Sequence, residues 1–311
     1  MASSTNEQEQ TSSASRNAPA INPVTKNGYL DSRTLPTSPP PGLPSPEEIL
    51  ADPNRKQISD PKNEVKVEFL SNGLVVKRGH RLRVELVAIE WMRENLVKEN
   101  GETVIPLPQY KGFYTQGDVD YLFISRIEGE SLESLWPSLS PSQRTAILDQ
   151  LREILRTLRS FTAPYLGRLN ETASFQLPWR PSLSLRSRGE YFRALRMAAP
   201  VDPERWEEGG DLHSLLDPPS SPRPLGVLTH GDLAARNILI DSSHTKIVGL
   251  IDWECLEFGP ESLEWLRTKR EVEKGWSKCE EAARAILEVV REVTDVEGAE
   301  KDWEWYKEMV M

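Results

Sequence analysis

The stretch Leu228-Thr229-His230-Gly231-Asp232-Leu233-Ala234-Ala235-Arg236-Asn237-Ile238-Leu239-Ile240 decides the fold, together with Ile247-Val248-Gly249-Leu250-Ile251-Asp252-Trp253-Glu254 one short hairpin later. Apolar runs of strand type flank three polar side chains, Asp232, Asn237 and Asp252. Each stands where a strand gives way to a loop, or a loop to a strand. An aspartate and an asparagine in one loop, with a second aspartate on the next strand, supply three converging oxygen ligands. That set suits Mg²⁺, a hard cation that keeps waters and takes one or two carboxylates plus substrate phosphates. One carboxylate can stay off the metal and accept a proton from a hydroxyl. These are the parts of a phosphoryl-transfer site, except for a cation to meet the nucleotide phosphates.

Toward the N-terminus a second region can supply that cation. Val65-Lys66-Val67-Glu68-Phe69-Leu70 alternates as a strand, Asn72-Gly73 is a two-residue hairpin signal, and Leu74-Val75-Val76-Lys77 returns as the partner strand. A helix is expected from Leu82 to Lys98, because Leu82, Leu86, Ile89, Met92 and Leu96 recur at helical spacing. Glu85 falls within that apolar face. A buried carboxylate needs a partner, and Lys77 is the nearest candidate in sequence. Two further strand-like pieces, Gln109 to Tyr114 and Tyr121 to Ile124, join through Gly117-Asp118.

Between the two regions, Glu128-Gly129-Glu130-Ser131-Leu132 breaks the periodicity and reads as a hinge. Ser140-Pro141-Ser142-Gln143 is a capping box with proline at the first helical position. The stripe Ile147, Leu148, Leu151, Ile154, Leu155 and Leu158 follows it. Residues 162–224 scatter proline, glycine, arginine and tryptophan, with helical fragments expected around Gly189 to Met197. Beyond the central stretch, Ala283, Ile286, Val289, Val290 and Val293 share one face of a helix from Cys279 to Val293. The tail Trp303-Glu304-Trp305-Tyr306 is expected to cap that helix or to pack on the main body. Residues 1–60 are rich in Ser, Thr, Asn, Gln and Pro, and read as a disordered arm. The expected organisation is that arm, a strand-rich nucleotide lobe over 61–127, and a helical lobe over 128–311 that holds the catalytic loop and a substrate insertion.

His230-Gly231-Asp232 with Asn237, followed by Ile251-Asp252-Trp253-Glu254, resembles the aminoglycoside phosphotransferase and choline kinase family, and most closely its fungal branch. Leu74 to Lys77, Glu85 with Ala88, Ile105-Pro106-Leu107-Pro108, Ile127 to Leu132, and Trp136 to Leu139 resemble further family segments in the same order. The likeness covers residues 61 to 270. It implies an α+β, protein-kinase-like bilobal fold, with a small antiparallel-sheet N-lobe and a larger helical C-lobe. It implies that Asp232 is the catalytic base, that Asn237 and Asp252 ligate Mg²⁺, that Lys77 meets the α- and β-phosphates of ATP, and that Glu85 holds Lys77. The hinge around Ser125 to Ile127 would meet the adenine, and His230 would brace the loop. The implied acceptor is a hydroxyl of a small molecule.

Some residues depart from that pattern. Gly231 stands where protein kinases carry the arginine of His-Arg-Asp, and no Ala-Pro-Glu segment follows Asp252. Leu233-Ala234-Ala235-Arg236-Asn237 is like the loop of protein tyrosine kinases, but without an activation-segment signature it is a slender basis for protein kinase activity. Arg236 is expected to brace the loop by pairing with Asp232. No glycine-rich loop precedes Lys77; only Gly73 lies in the hairpin. This gap motivates an alternative, a kinase-like binding or regulatory protein without turnover.

The bulk properties exclude other classes. A formal net charge of -10 argues against general nucleic-acid or anionic-membrane binding. Two cysteines, Cys255 and Cys279, form neither a disulfide framework nor a zinc signature. No apolar run is long enough to span a bilayer, and the N-terminus lacks the blocks of a signal peptide. The expectation is a soluble, cytoplasmic protein. Cys255 reads as a small buried residue. Glu254, Glu257, Glu261 and Glu264 read as a solvated acidic face, with a site for a cationic substrate as the other reading.

Overall fold

The computed structural model describes residues 35–96, 103–169, 191, 226–294, 299–300, 302–303 and 306–307. Helix α1 (Pro46–Ala51) precedes β1 (Lys56–Gln57), β2 (Lys66–Phe69) and β3 (Leu74–Gly79), and α2 (Arg83–Asn95) precedes β4 (Tyr110–Gln116) and β5 (Val119–Ser125). The strands form one antiparallel sheet in the order β1-β2-β3-β5-β4. Asn72-Gly73 makes the expected hairpin: Gly73 takes φ +78°, and the Asn72 side chain accepts the Leu74 amide at 3.1 Å. Alternation along β3 sends Val76 to the outer face of the sheet and Val75 to the inner face, and Lys77 shares the side of Val75. The inner face is covered by α2, whose Leu86, Ala88, Ile89, Trp91 and Met92 are buried along with Glu85. This helix ends at Asn95, short of the expected Lys98, with Leu96 as its C-cap.

The disordered arm expected through residue 60 does not hold from Leu35 onward. Ser45 and Glu48 close a capping box on α1, with Pro46 in the first turn. Ile49 is buried against the outer sheet face with Leu70, Val76, Tyr114, Tyr121 and Phe123. The proline-rich segment contributes carbonyls: Pro36 accepts the Thr115 amide at 2.9 Å, and Pro44 accepts the Tyr114 hydroxyl at 3.0 Å. Leu43 lies against Gly112, where a Cβ would come within 2.2 Å of its Cδ1. A few well-placed apolar groups thus anchor a strap that its composition disguises.

The C-terminal lobe begins with β6 (Glu130–Ser131), α3 (Leu132–Leu135) and α4 (Pro141–Arg159). The capping box at Ser140 and Gln143 forms as expected, and Ile147, Leu151, Ile154, Leu155 and Leu158 are buried. Then come β7 (Thr162–Ala163), β8 (Gly226–Thr229), β9 (Ile238–Ile240), β10 (Ile247–Leu250) and β11 (Glu257–Gly259), and helices α5 (Leu263–Glu273) and α6 (Glu280–Val293) close the described lobe. Two small sheets result, ordered β10-β9-β6 and β11-β8-β7. The segment Gly189 to Met197 lies outside the described residues apart from Tyr191, as does most of the expected insertion. In the tail, Trp303 packs edge-on against Trp265 of α5, with ring centroids 6.2 Å apart.

The lobes meet where α2 packs on the segment after Asp252. Trp91 sets its ring edge-on to Phe258 of β11 at 6.2 Å, and the Leu250 amide donates to the Pro106 carbonyl at 2.8 Å. Lys77 of the sheet lobe and Asp252 of the other meet at this junction.

Candidate active site

Strand β8 delivers the chain into the loop 230–237, and α5 holds that loop in place. The Glu264 carboxylate accepts the backbone amides of His230 at 2.7 Å and Gly231 at 3.1 Å. Arg267 donates to the Gly231 carbonyl at 2.9 Å and pairs with buried Glu257 at 3.0 Å. Gly231 takes φ +80°, and a Cβ on it would stand 2.1 Å from the Arg267 guanidinium. Glycine is required by the left-handed backbone and by the Cys255 carbonyl, which would stand 2.6 Å from that Cβ and cannot swing aside as an arginine tip can. Burial pushes the Glu264 carboxyl above its usual range, opposed by His230, the Gly231 amide and Arg267. His230 is fully buried. Its Nδ1 accepts the Asp232 amide at 3.1 Å, and its Nε2 donates to the Ile251 carbonyl at 3.2 Å. The ring therefore ties the loop to the strand end that carries Asp252.

Asp232 is held within its own loop. Arg236 Nη2 lies 3.2 Å from Oδ1, as the sequence suggests, and Asn237 Nδ2 donates to Oδ2 at 3.1 Å. The same Nδ2 donates to the Asp232 carbonyl at 2.8 Å, so neither bond uses Asn237 Oδ1. Asp252 follows β10 in the left-handed region, φ +68°, a conformation that aspartate tolerates better than most residues. Across the cleft, Lys77 reaches it. The Lys77 ammonium lies 2.9 Å from Asp252 Oδ1, and 2.8 and 2.7 Å from the two oxygens of Glu85. Burial works against this charge, but Asp252 and then Glu85 outweigh it and hold the ammonium well above the ordinary lysine range. Burial also acts to raise the Asp252 carboxyl, and Lys77 outweighs it, so the group titrates low. Fully buried Glu85 is displaced upward by burial, with Lys77 opposing. One lysine of the sheet lobe thus bridges a carboxylate of its own lobe and one of the other.

The sequence profile of the phosphotransferase enzyme family matches residues 65–264. The chain belongs to that family. No curated sequence matches it significantly. Among solved structures, the streptomycin–ATP ternary complex of APH(2'')-IIa aligns over 83% of each chain at 15% identity, with a TM-score of 0.53. The GDP and kanamycin complex of APH(2'')-IIIa aligns over 82% of each at 14% identity and 0.52. The aminoglycoside phosphotransferase APH(3'')-Id from Streptomyces rimosus aligns over 82% of this chain and 91% of its own at 18% identity and 0.50. Likeness at these identities concerns the fold, which is the protein-kinase-like bilobal architecture.

Within this family member the donor set decides which ion can fit. Among the described residues, no three His, Cys, Asp or Glu side chains gather as a metal nest. Asp252 and Asn237 offer one carboxylate and one amide oxygen. That suits Mg²⁺ completed by phosphates and water, and not a closed zinc site. Ser125 ends β5 opposite Leu74, and its hydroxyl accepts the Gln109 amide at 2.8 Å. Ile127 lies against Gly249, where a Cβ would come within 2.9 Å of its Cδ1. Both flank the connection between the lobes, on the hinge side of Lys77.

The acidic run after Asp252 is not a solvated face. Glu257 and Glu264 are buried and hold Arg267 and the loop backbone, and Glu261 lies 3.5 Å from Arg159. Only Glu254 stands near the lysine cluster, where burial, Asp252 and Glu85 push its carboxyl up to about 7. Cys255 is buried, and its thiol is pushed up by burial, as befits an inert residue. Sequence reasoning missed Arg267 and Glu271, and took Glu264 for surface, because it did not identify α5. The available signal was Glu264 set among Leu263, Trp265 and Leu266.

Glu254 carries a pH prediction. Its folded pKa, about 7, exceeds the ordinary glutamate value of 4.5, so the folded chain binds this proton more tightly than the unfolded one. Its contribution is full below pH 4.5 and is lost as the pH rises through 7. In metal-free protein, Glu254→Gln should gain on the wild type in melting temperature between those values. Parallel melting curves across that range would show that Glu254 does not titrate there.

Proposed function

We propose that the chain transfers the γ-phosphoryl group of ATP, with Mg²⁺, to a hydroxyl of a small molecule. The observation that carries this reading is the Lys77 bridge from Glu85 to Asp252 across the two lobes, at 2.8 and 2.9 Å. It places a permanent cation beside the carboxylate that would hold the metal, close to the loop bearing Asp232. In this reading Lys77 binds nucleotide phosphate, Asp252 and Asn237 Oδ1 hold the ion, and the hinge at Ser125 to Ile127 lies against the adenine. When bound, Mg²⁺ neutralises phosphate charge. Asp232 orients the acceptor hydroxyl and takes its proton, while Arg236 and Asn237 keep both carboxylate oxygens aimed. The negative net charge and Glu254 at the cleft are compatible with a cationic acceptor, but they do not select one.

One observation favours a second reading, a kinase-like binding protein without turnover. With adenine at the Ser125 end of the sheet, the phosphates lie toward Gly79, beyond Lys77. The connection at that end joins β1 to β2 over residues 58–65, and it contains no glycine. The Gly73 turn lies at the hinge end. Calorimetry with Mg²⁺·ATP tests the metal assignment. Asp252→Ala should weaken binding at least about tenfold, since it removes one of two metal ligands. Unchanged affinity in that variant would remove Asp252 from the site.

A further inference from the structure

Two carboxylates of α5 face the loop 230–237. Glu264 holds its start, at the amides of His230 and Gly231. Glu271, seven residues and so two helical turns further on, reaches its end. The Glu271 side chain is 7% exposed, and its Oε1 lies 2.5 Å from Arg236 Nη1. The other arm of the same guanidinium, Nη2, lies 3.2 Å from Asp232 Oδ1. Burial raises the Glu271 carboxyl and Arg236 opposes it without cancelling it, so the arginine is the buried glutamate's charge partner. Satisfying Glu271 would need only one arm. A guanidinium is planar and rigid, so fixing one arm on Glu271 fixes the direction of the other. Asn237 Nδ2 already holds Asp232 Oδ2 at 3.1 Å. Rotation of the Asp232 carboxylate is thus blocked at both oxygens, one from within the loop and one, through Arg236, from α5.

We propose that Glu271 is a positioning residue that sets the orientation of Asp232 through Arg236, an inference that rests on the reading of Asp232 as the base. The relay makes α5 a jig for the reaction: its first turn fixes the loop backbone, and its last turn fixes the reacting side chain. Neither residue needs to touch nucleotide or acceptor to do this.

The test uses the full chain with Mg²⁺·ATP and water as acceptor, and also follows amide hydrogen exchange over residues 231–237. Misplacing a catalytic group by about 1 Å can cost about 10²-fold in rate. Arg236→Met should lower the hydrolysis kcat by about that factor, and Glu271→Gln by about tenfold, with the KM for ATP unchanged. Arg236→Lys should recover part of the loss. The double variant Arg236→Met/Glu271→Gln should match Arg236→Met alone, because the two residues act in one line. Exchange over the loop should quicken in both single variants. The relay is overturned if Glu271→Gln keeps wild-type kcat and loop protection, or if the two losses add in the double variant. If the wild type releases no phosphate to water, the phosphotransferase reading is decided by transfer to hydroxyl compounds instead. The relay then stands or falls on the exchange of Glu271→Gln alone.

Discussion

Asp232→Asn is expected to abolish phosphoryl transfer and leave Mg²⁺·ATP binding intact. The amide keeps the shape of the carboxylate but cannot accept the hydroxyl proton, a role worth about 10²- to 10⁴-fold in rate. The loop should survive the change. Its backbone contacts do not involve the carboxylate: the Asp232 amide donates to His230 Nδ1, and the Asp232 carbonyl accepts Asn237 Nδ2. Arg236 retains Glu271 as its charge partner. Calorimetry should therefore give an ATP affinity close to that of the wild type, alongside a large fall in kcat. Transfer at the wild-type rate in Asp232→Asn would remove Asp232 from the chemistry.

Lys77→Met is expected to cost both stability and nucleotide affinity. It leaves Glu85, which is fully buried, without its cation. Breaking a buried ion pair by removing one partner typically destabilises by about 3–5 kcal/mol. Glu85 can escape part of that cost by taking up a proton. Its carboxyl is already displaced upward by burial, and loss of Lys77 displaces it further. The folded variant then binds the proton more tightly than its unfolded chain, so its stability falls as pH rises through the folded pKa. The melting deficit against the wild type should thus be larger at high pH than at low pH. Adding Glu85→Gln removes the orphaned charge and should restore much of the stability, but not the affinity for ATP. A Lys77→Met protein as stable as the wild type under alkaline conditions would mean that the buried pair does not bind the lobe together.

Much of this arrangement is legible in the sequence because it depends on local patterns. Glu85 interrupts an apolar helical stripe, and such a carboxylate needs a partner. Asn72-Gly73 between alternating runs names its own turn. Asp232, Asn237 and Asp252 sit at strand ends, where side chains can converge. What could not be read depends on tertiary partners. The strap from Leu35 to Ala51 has the composition of a linker, yet Ile49, Leu43 and two proline carbonyls dock it on the outer sheet face. The acidic run after Asp252 looks like solvated surface until α5 folds back, and then Glu257 and Glu264 are buried beneath the loop. Gly231 likewise makes sense only with its left-handed backbone and the Cys255 carbonyl beside it. The sequence before Lys77 points to the Gly73 hairpin as the place for a glycine loop, whereas the register of β2, β3 and β5 puts the relevant connection at residues 58–65.

The most direct test of the whole account is to follow the label of γ-phosphate-labelled ATP with Mg²⁺ across a panel of small hydroxyl compounds. Wild-type and Asp232→Asn protein are run side by side. The account predicts transfer of the label to at least one hydroxyl by the wild type and none by the variant. Label that stays on ATP throughout, or moves equally well without Asp232, would contradict it.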